Sequence, residues 1–189
     1  MATTRICVGQ IKGRVVQFHP STNLKPTSQQ VRLAVFSMIK QDITKDKHIL
    51  DLYAGTGVMG IEALSLGCTY ADFVEINQRT AKQLSSILKS FNLESNTKVY
   101  PISTEDFLSL QNKKYDIIFI DPPYKTNPWS KLFAKILSSQ ILNENGIIVA
   151  EHYKKQLLPT MECQLRKLNF KQYGDTSISI YRKIGNSDG

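Results

Sequence analysis

Asp121-Pro122-Pro123-Tyr124 follows directly on the apolar run 115–120 and combines residue types that can hold a planar amine. An ionised Asp121 offers only acceptors and the Pro122 carbonyl offers another, so both protons of an NH2 group can be engaged while its nitrogen stays free to attack. Neither proline has an N–H for a neighbouring strand, and two fixed φ angles stiffen the chain as it leaves the sheet. Tyr124 is spaced to stack on the ring that carries the amine. Taken alone, the tetrapeptide is equally compatible with a Pro-rich turn after a strand.

A second constellation precedes it. The run His48-Ile49-Leu50-Asp51 reads as a strand that ends on a carboxylate, followed by the turn Gly55-Thr56-Gly57. Val58, Ile61, Leu64 and Leu66 then recur at helical spacing up to a stop at Gly67. Gly55-x-Gly57-x-x-Gly60 satisfies the dinucleotide fingerprint, and Glu75 stands twenty residues after Gly55 at the end of the next strand. A nicotinamide dinucleotide and S-adenosylmethionine both use a tight glycine turn and an acidic acceptor for ribose hydroxyls. Asp51 separates them: its carboxylate, four residues before Gly55, repels a pyrophosphate but suits the ammonium and sulfonium charges of S-adenosylmethionine.

With Asp51-x-x-x-Gly55-Thr-Gly57, Glu75 and Asp121-Pro-Pro-Tyr124, the chain resembles the class I, S-adenosylmethionine-dependent amino-methyltransferases. The leading stretch Gly13-Arg14-Val-Val, Lys25-Pro26-Thr27, Val31-Arg32 and Phe36 is similar to the RsmD family of bacterial 16S ribosomal RNA guanine-N2 methyltransferases, a likeness that runs from about Gly9 to Arg182. The resemblance implies that Asp51, Ala54, Gly55 and Gly57 hold the methionine part of the cofactor, that Glu75 holds the ribose, and that Ile76 lies beside the adenine, with Tyr53 also among the cofactor-binding residues. It assigns the target amine to Asp121, Pro122, Pro123 and Tyr124. Two positions depart from the family pattern: Lys25 stands where Arg is usual, and Ile102-Ser103-Thr104 stands where an Asn or Asp contacts adenine, which leaves Ser103 and Thr104 as the candidates there.

These residues need a scaffold. Strands are expected near 48–53, 70–75, 97–101, 115–120 and 146–151, with helices near 57–66, 77–92, 104–110 and 128–139, an alternation that means a parallel sheet. Residues 166–173 and 177–182 around Gly174-Asp175 predict a closing antiparallel hairpin. The expectation is a Rossmann-like α/β class I methyltransferase fold with a mostly parallel seven-stranded sheet. A small extension over 1–45 precedes the 46–184 methyltransferase domain, and 185–189 reads as a disordered tail. In the extension, residues 6–8 and 14–18 predict a hairpin and Thr27-x-x-Gln30 a capping box for a helix. Asp51, Glu75, Ser103 and Asp121 all fall at carboxyl ends of strands, where such sheets bind ligands.

Charge points to the partner. The 189-residue chain carries 24 Lys+Arg against 16 Asp+Glu, and Arg5, Lys12, Arg14, Lys25, Arg32 and Lys40 all precede the first acidic residue, Asp42. That is the footprint of a polyanion-binding surface, with Lys12, Arg14, Lys25, Thr27 and Arg32 as candidate RNA contacts. Ribosomal RNA, free or within a small subunit, is the expected partner, and a monomer is expected. Trp129 and Lys125 line the base's way in or, for Trp129, anchor the core. Three scattered Cys and three scattered His have no metal-ligand spacing, so no metal is expected. Without a long apolar run at the start or elsewhere, the chain reads as soluble, unexported and cytoplasmic.

Four other readings stay open. DNA or other RNA adenine-N6 or cytosine-N4 methyltransferases share the cradle but usually carry a separate recognition region, for which 189 residues leave little room. Protein-glutamine methyltransferases typically show Asn in place of Asp121. A nicotinamide-dependent oxidoreductase leaves Asp121-Pro-Pro-Tyr124 unexplained, and a non-catalytic RNA-binding module explains only the basic leading segment.

Overall fold

In a computed structural model the chain is described over residues 1–20, 26–123 and 126–185. Ala2–Arg5 (β1) and Val15–Phe18 (β2) pair antiparallel as a separate ribbon, and Gln29–Met38 forms α1. The alternating units follow as His48–Leu52 (β3), Val58–Ser65 (α2), Tyr70–Val74 (β4), Gln78–Ser90 (α3), Thr97–Tyr100 (β5), Thr104–Leu110 (α4), Tyr115–Ile120 (β6), Trp129–Ser138 (α5) and Leu142–Tyr153 (β7). Met161–Glu162 (β8), Leu165–Tyr173 (β9) and Thr176–Lys183 (β10) close the chain.

The strands lie in the order β5-β4-β3-β6-β7-β10-β9-β8. The first five are parallel to their neighbours, and β10, β9 and β8 pair antiparallel. This is the expected Rossmann-like sheet; its seven strands are joined by an eighth, the two-residue β8 at the edge. Alternate strand residues feed two cores. Ile49, Phe73, Phe119 and Val149 face α1, α2 and α3, whereas Leu50, Val74, Ile118 and Ile148 face α4 and α5. Both faces are therefore apolar, as a parallel sheet covered by helices requires.

Local boundaries moved where tertiary contacts outcompete pattern. The strand expected over 6–8 lies instead at Ala2–Arg5, because the backbone beyond it is taken by α2: the Cys7 N–H donates to Glu62 Oε1 at 3.0 Å and the Gln10 N–H to the Ser65 carbonyl at 2.7 Å. The N-cap of α1 is Ser28, whose hydroxyl accepts from the Val31 N–H, rather than Thr27. The strand expected over 146–151 runs from Leu142 to Tyr153, with its register shifted between Tyr115 and Ile117 of β6. The leading segment shares the sheet's own core through Ile6, Val16, Val31 and Phe36. No helix among the described residues is long and apolar enough to cross a membrane.

Candidate active site

The carboxyl ends of β3 and β4 build one half of the site. Asp51 is buried, and its Oδ2 accepts from the Gly60 N–H at 3.2 Å, near the start of α2. The turn between them is left-handed at three positions, Tyr53 (φ 64°), Gly55 (φ 54°) and Gly57 (φ 73°). A Cβ on Gly57 would lie 2.4 Å from Leu84 Cδ1 and one on Gly60 2.4 Å from Phe73 Cε1, so the glycines let α2 press against β4 and α3. Tyr53 has no such freedom, and an aromatic residue in this region marks a conformation imposed by its surroundings.

Glu75, just past β4, closes the turn. Its Oε2 accepts from the Gly55 N–H at 3.0 Å and its Oε1 from the Asn77 N–H at 2.8 Å. Both oxygens are thus oriented by backbone. Ala54 joins the same arrangement through its N–H to the Val74 carbonyl at 2.9 Å, and Ile76 stands 68% exposed beside it. Across from the turn, the Tyr53 hydroxyl is hydrogen-bonded to buried Thr104. Ser103 caps α4: its hydroxyl accepts from the Asp106 N–H at 3.0 Å and donates to Asp106 Oδ2 at 2.7 Å. Its one donor is spent within its own turn.

The other half is acidic. Asp121 follows Ile120, the last residue of β6, and Ile120 pairs with Ala150 of β7, so Glu151 is Asp121's register neighbour. Pro122 is buried and Pro123 exposed; Tyr124 and Lys125 lie outside the described residues. Burial pushes the Asp121 carboxyl well above the ordinary carboxylate range, and the charges of Glu151 and Asp51 push it the same way. Burial likewise pushes Asp51 up to about 8, with Glu75 adding to the effect and the Gly60 N–H opposing it. Four carboxyl groups, at or near the carboxyl ends of β3, β4, β6 and β7, thus share one field.

Gln156 pins the chain after the tetrapeptide: its Nε2 donates to the Thr126 carbonyl at 2.6 Å and its Oε1 accepts from the Tyr153 N–H at 3.2 Å. Trp129 is 3% exposed, with its ring 5.8 Å from Phe133 and 5.9 Å from His152, so it anchors the core and does not line an opening.

The candidate RNA contacts scatter. Arg32 is 1% exposed; its Nε donates to Glu62 Oε1 at 2.8 Å and its other nitrogens to the carbonyls of Thr27 and Arg5. A guanidinium so enclosed cannot meet a phosphate, and its assignment as an RNA contact is corrected: Arg32 ties α1 to α2 and the leading ribbon. Thr27 is buried and donates to Glu151 Oε2 at 3.0 Å, which makes it a support of the acidic cluster. Arg14 is exposed, 4.1 Å over the Phe91 ring and donating to the Ser90 carbonyl at 2.6 Å. Those partners end α3, which starts just past the carboxyl end of β4 and has 13 residues, so Arg14 sits about 20 Å from the strand ends that build the site. Lys12 is exposed and shares its turn with Gly9 and the end of α2. Lys25 lies outside the described residues.

Sequence reasoning missed Glu151 and Glu62. Glu151 carried the same signal as Asp51 and Asp121, a carboxylate closing an apolar strand (147–150), whereas nothing local marks Glu62 as the partner of an arginine thirty residues earlier. Among the described residues no group of three or more His, Cys, Asp or Glu is arranged to hold a metal ion.

A family model described as conserved hypothetical protein 95 matches residues 4–182. A Bacillus subtilis (strain 168) protein provisionally named as the rRNA methyltransferase YlbH is 35% identical over 184 residues, covering 96% of this chain and all of that one. The ribosomal RNA small subunit methyltransferase D of Buchnera aphidicola subsp. Acyrthosiphon pisum is 36% identical over 80% of this chain and 78% of its own length. Among solved structures, an Escherichia coli protein provisionally described as a methyltransferase superposes with a TM-score of 0.88 at 25% identity, over 97% of this chain and 99% of that one.

Proposed function

The chain belongs to the family described as conserved hypothetical protein 95, the RsmD family that its sequence resembles, and on that premise we propose that it is an RNA methyltransferase. It takes a methyl group from S-adenosylmethionine and places it on the exocyclic N2 amine of a guanine in 16S ribosomal RNA. The observation that carries this reading is Asp121 at the end of β6, a high-affinity proton acceptor set beside the turn that Asp51 and Glu75 frame. The names of the relatives, which speak of small-subunit ribosomal RNA, support the substrate class.

The residues fit the cofactor. A buried carboxyl held up to about 8 lacks a compensating cation, and the ammonium and sulfonium charges of S-adenosylmethionine supply one beside Asp51. Glu75, with both oxygens already aligned, accepts from ribose hydroxyls. When bound, the cofactor supplies a methyl group activated on positive sulfur. Asp121 and the Pro122 carbonyl hold the amine protons and leave the nitrogen lone pair directed outward, so positioning does most of the work. As the amine gains positive charge, Asp121 stabilises it and takes up one proton, a role its raised proton affinity favours. The base reaches these groups extruded from its neighbours.

Labelled S-adenosylmethionine supplied with small-subunit RNA, partly assembled small subunits, DNA or protein tests the reading. The expected product is N2-methylguanine in RNA. N6-methyladenine, N4-methylcytosine or methylglutamine as the labelled product would replace it.

A further inference from the structure

We propose that Glu151 reads the target base, its carboxylate accepting the N1–H of guanine while Asp121 holds the adjacent N2 amine. This rests on the guanine-N2 reading and deepens it by naming the residue that sets base specificity. Guanine presents two neighbouring donors, N1–H and N2–H2, whereas adenine and cytosine place a bare ring nitrogen beside the amine. Two carboxylates side by side complement the first edge and repel the lone pair of the second.

The register supplies that pair. Ile120 pairs with Ala150, so Asp121 and Glu151 are the next residues along parallel strands about 4.8 Å apart. Strand alternation puts both on the side of Phe119 and Val149, the face that Asp51 shares through its contact with α2. Glu151 remains within the sheet, paired with Ile178 of β10, so its backbone is held by that strand. The Thr27 hydroxyl donates to its Oε2 at 3.0 Å and orients the carboxylate, an acceptor-only group when ionised. The charge of Glu151 raises the proton affinity of Asp121, as two carboxyl groups set close together require.

The test replaces the target guanine by 2-aminopurine, which keeps the amine and loses the N1 proton together with the O6 carbonyl, so the change of the preference in variants of the carboxylate carries the reading. The nucleotide labelled by wild type is mapped first, and small-subunit RNA is prepared with either base there, assembled with its proteins if wild type requires that. Wild type should prefer guanine by at least about tenfold in kcat/KM. Glu151→Gln, whose amide can donate to the bare N1, should lose at least about tenfold of that preference while binding S-adenosylmethionine as wild type does. Thr27→Val, which leaves Glu151 in place, should narrow the preference in the same direction. Equal slowing of both substrates in Glu151→Gln, or no preference in wild type, overturns the proposal. Should the Gln variant fail to fold, Thr27→Val decides alone: a preference as large as that of wild type overturns the proposal. Identification of the wild-type product separates the premise: a methylated base other than guanine sinks the functional reading whatever Glu151 does.

Discussion

The proposed function divides the chemistry among Asp121 for the target, Asp51 for the cofactor's charge and Glu75 for its sugar, and each assignment can be measured alone. Asp121→Ala should abolish methyl transfer in single turnover at saturating cofactor while leaving cofactor affinity within a small factor, and Asp121→Asn should retain more activity because its amide oxygen still accepts one hydrogen bond. Near-wild-type turnover of the alanine variant would remove the central assignment. Glu75→Ala should weaken S-adenosylmethionine binding by about 1–3 kcal/mol in calorimetry, since the ribose loses a charged acceptor and the Gly55 turn its anchor. Asp51 makes binding depend on pH. Its carboxyl is neutral below about 8, and a cationic ligand favours the ionised form, so binding expels a proton at lower pH. Affinity should therefore climb as pH rises towards 8 and then level off. Asp51→Asn should bind weakly with no such climb; an identical pH profile in that variant would show that another group titrates.

At the scale of elements, the leading segment is a brace. Arg32 on α1 meets Glu62 on α2 with both side chains out of water, and the Cys7 N–H shares the same carboxylate. Removing one partner leaves a buried charge uncompensated, so Arg32→Ala should lower stability by roughly 3–5 kcal/mol in denaturant unfolding. A loss of RNA affinity with stability intact would return Arg32 to the surface role that its charge suggested. The capping pattern at Thr27-x-x-Gln30 shows the same lesson: a hydroxyl one residue early can cap a helix by its spacing, but Ser28 takes that place and frees Thr27 to hold Glu151.

Over the whole molecule, Lys12 and Arg14 of the leading segment lie away from the site. Arg14 lies near the far end of α3 and Lys12 near the end of α2, whereas Thr27 reaches the strand ends. An RNA that touches Arg14 and also reaches the strand ends must span about 20 Å. Reversing Lys12 and Arg14 to Glu should then raise the apparent Kd for RNA and flatten its salt dependence, with about one fewer counterion released for each lost phosphate contact. Cofactor binding should be spared. An unchanged slope would assign these charges to a solvated face and move the search to Lys154 and Lys155.

The strand–turn–helix around Asp51 and Gly57, the alternation of elements and the place of Asp121 just past a strand were legible in sequence because each depends on neighbours a few residues away: strand period, glycine φ, proline's missing donor. The family resemblance came from the same local signals. What sequence could not show is which charges meet. Arg32 and Glu62 are thirty residues apart, Thr27 and Glu151 farther still, and only the closing of the sheet on α1 and α2 brings them together and out of water. Burial also set the proton affinities of Asp51 and Asp121, since a carboxyl's pKa answers to the solvent and charges packed around it rather than to its place in the chain.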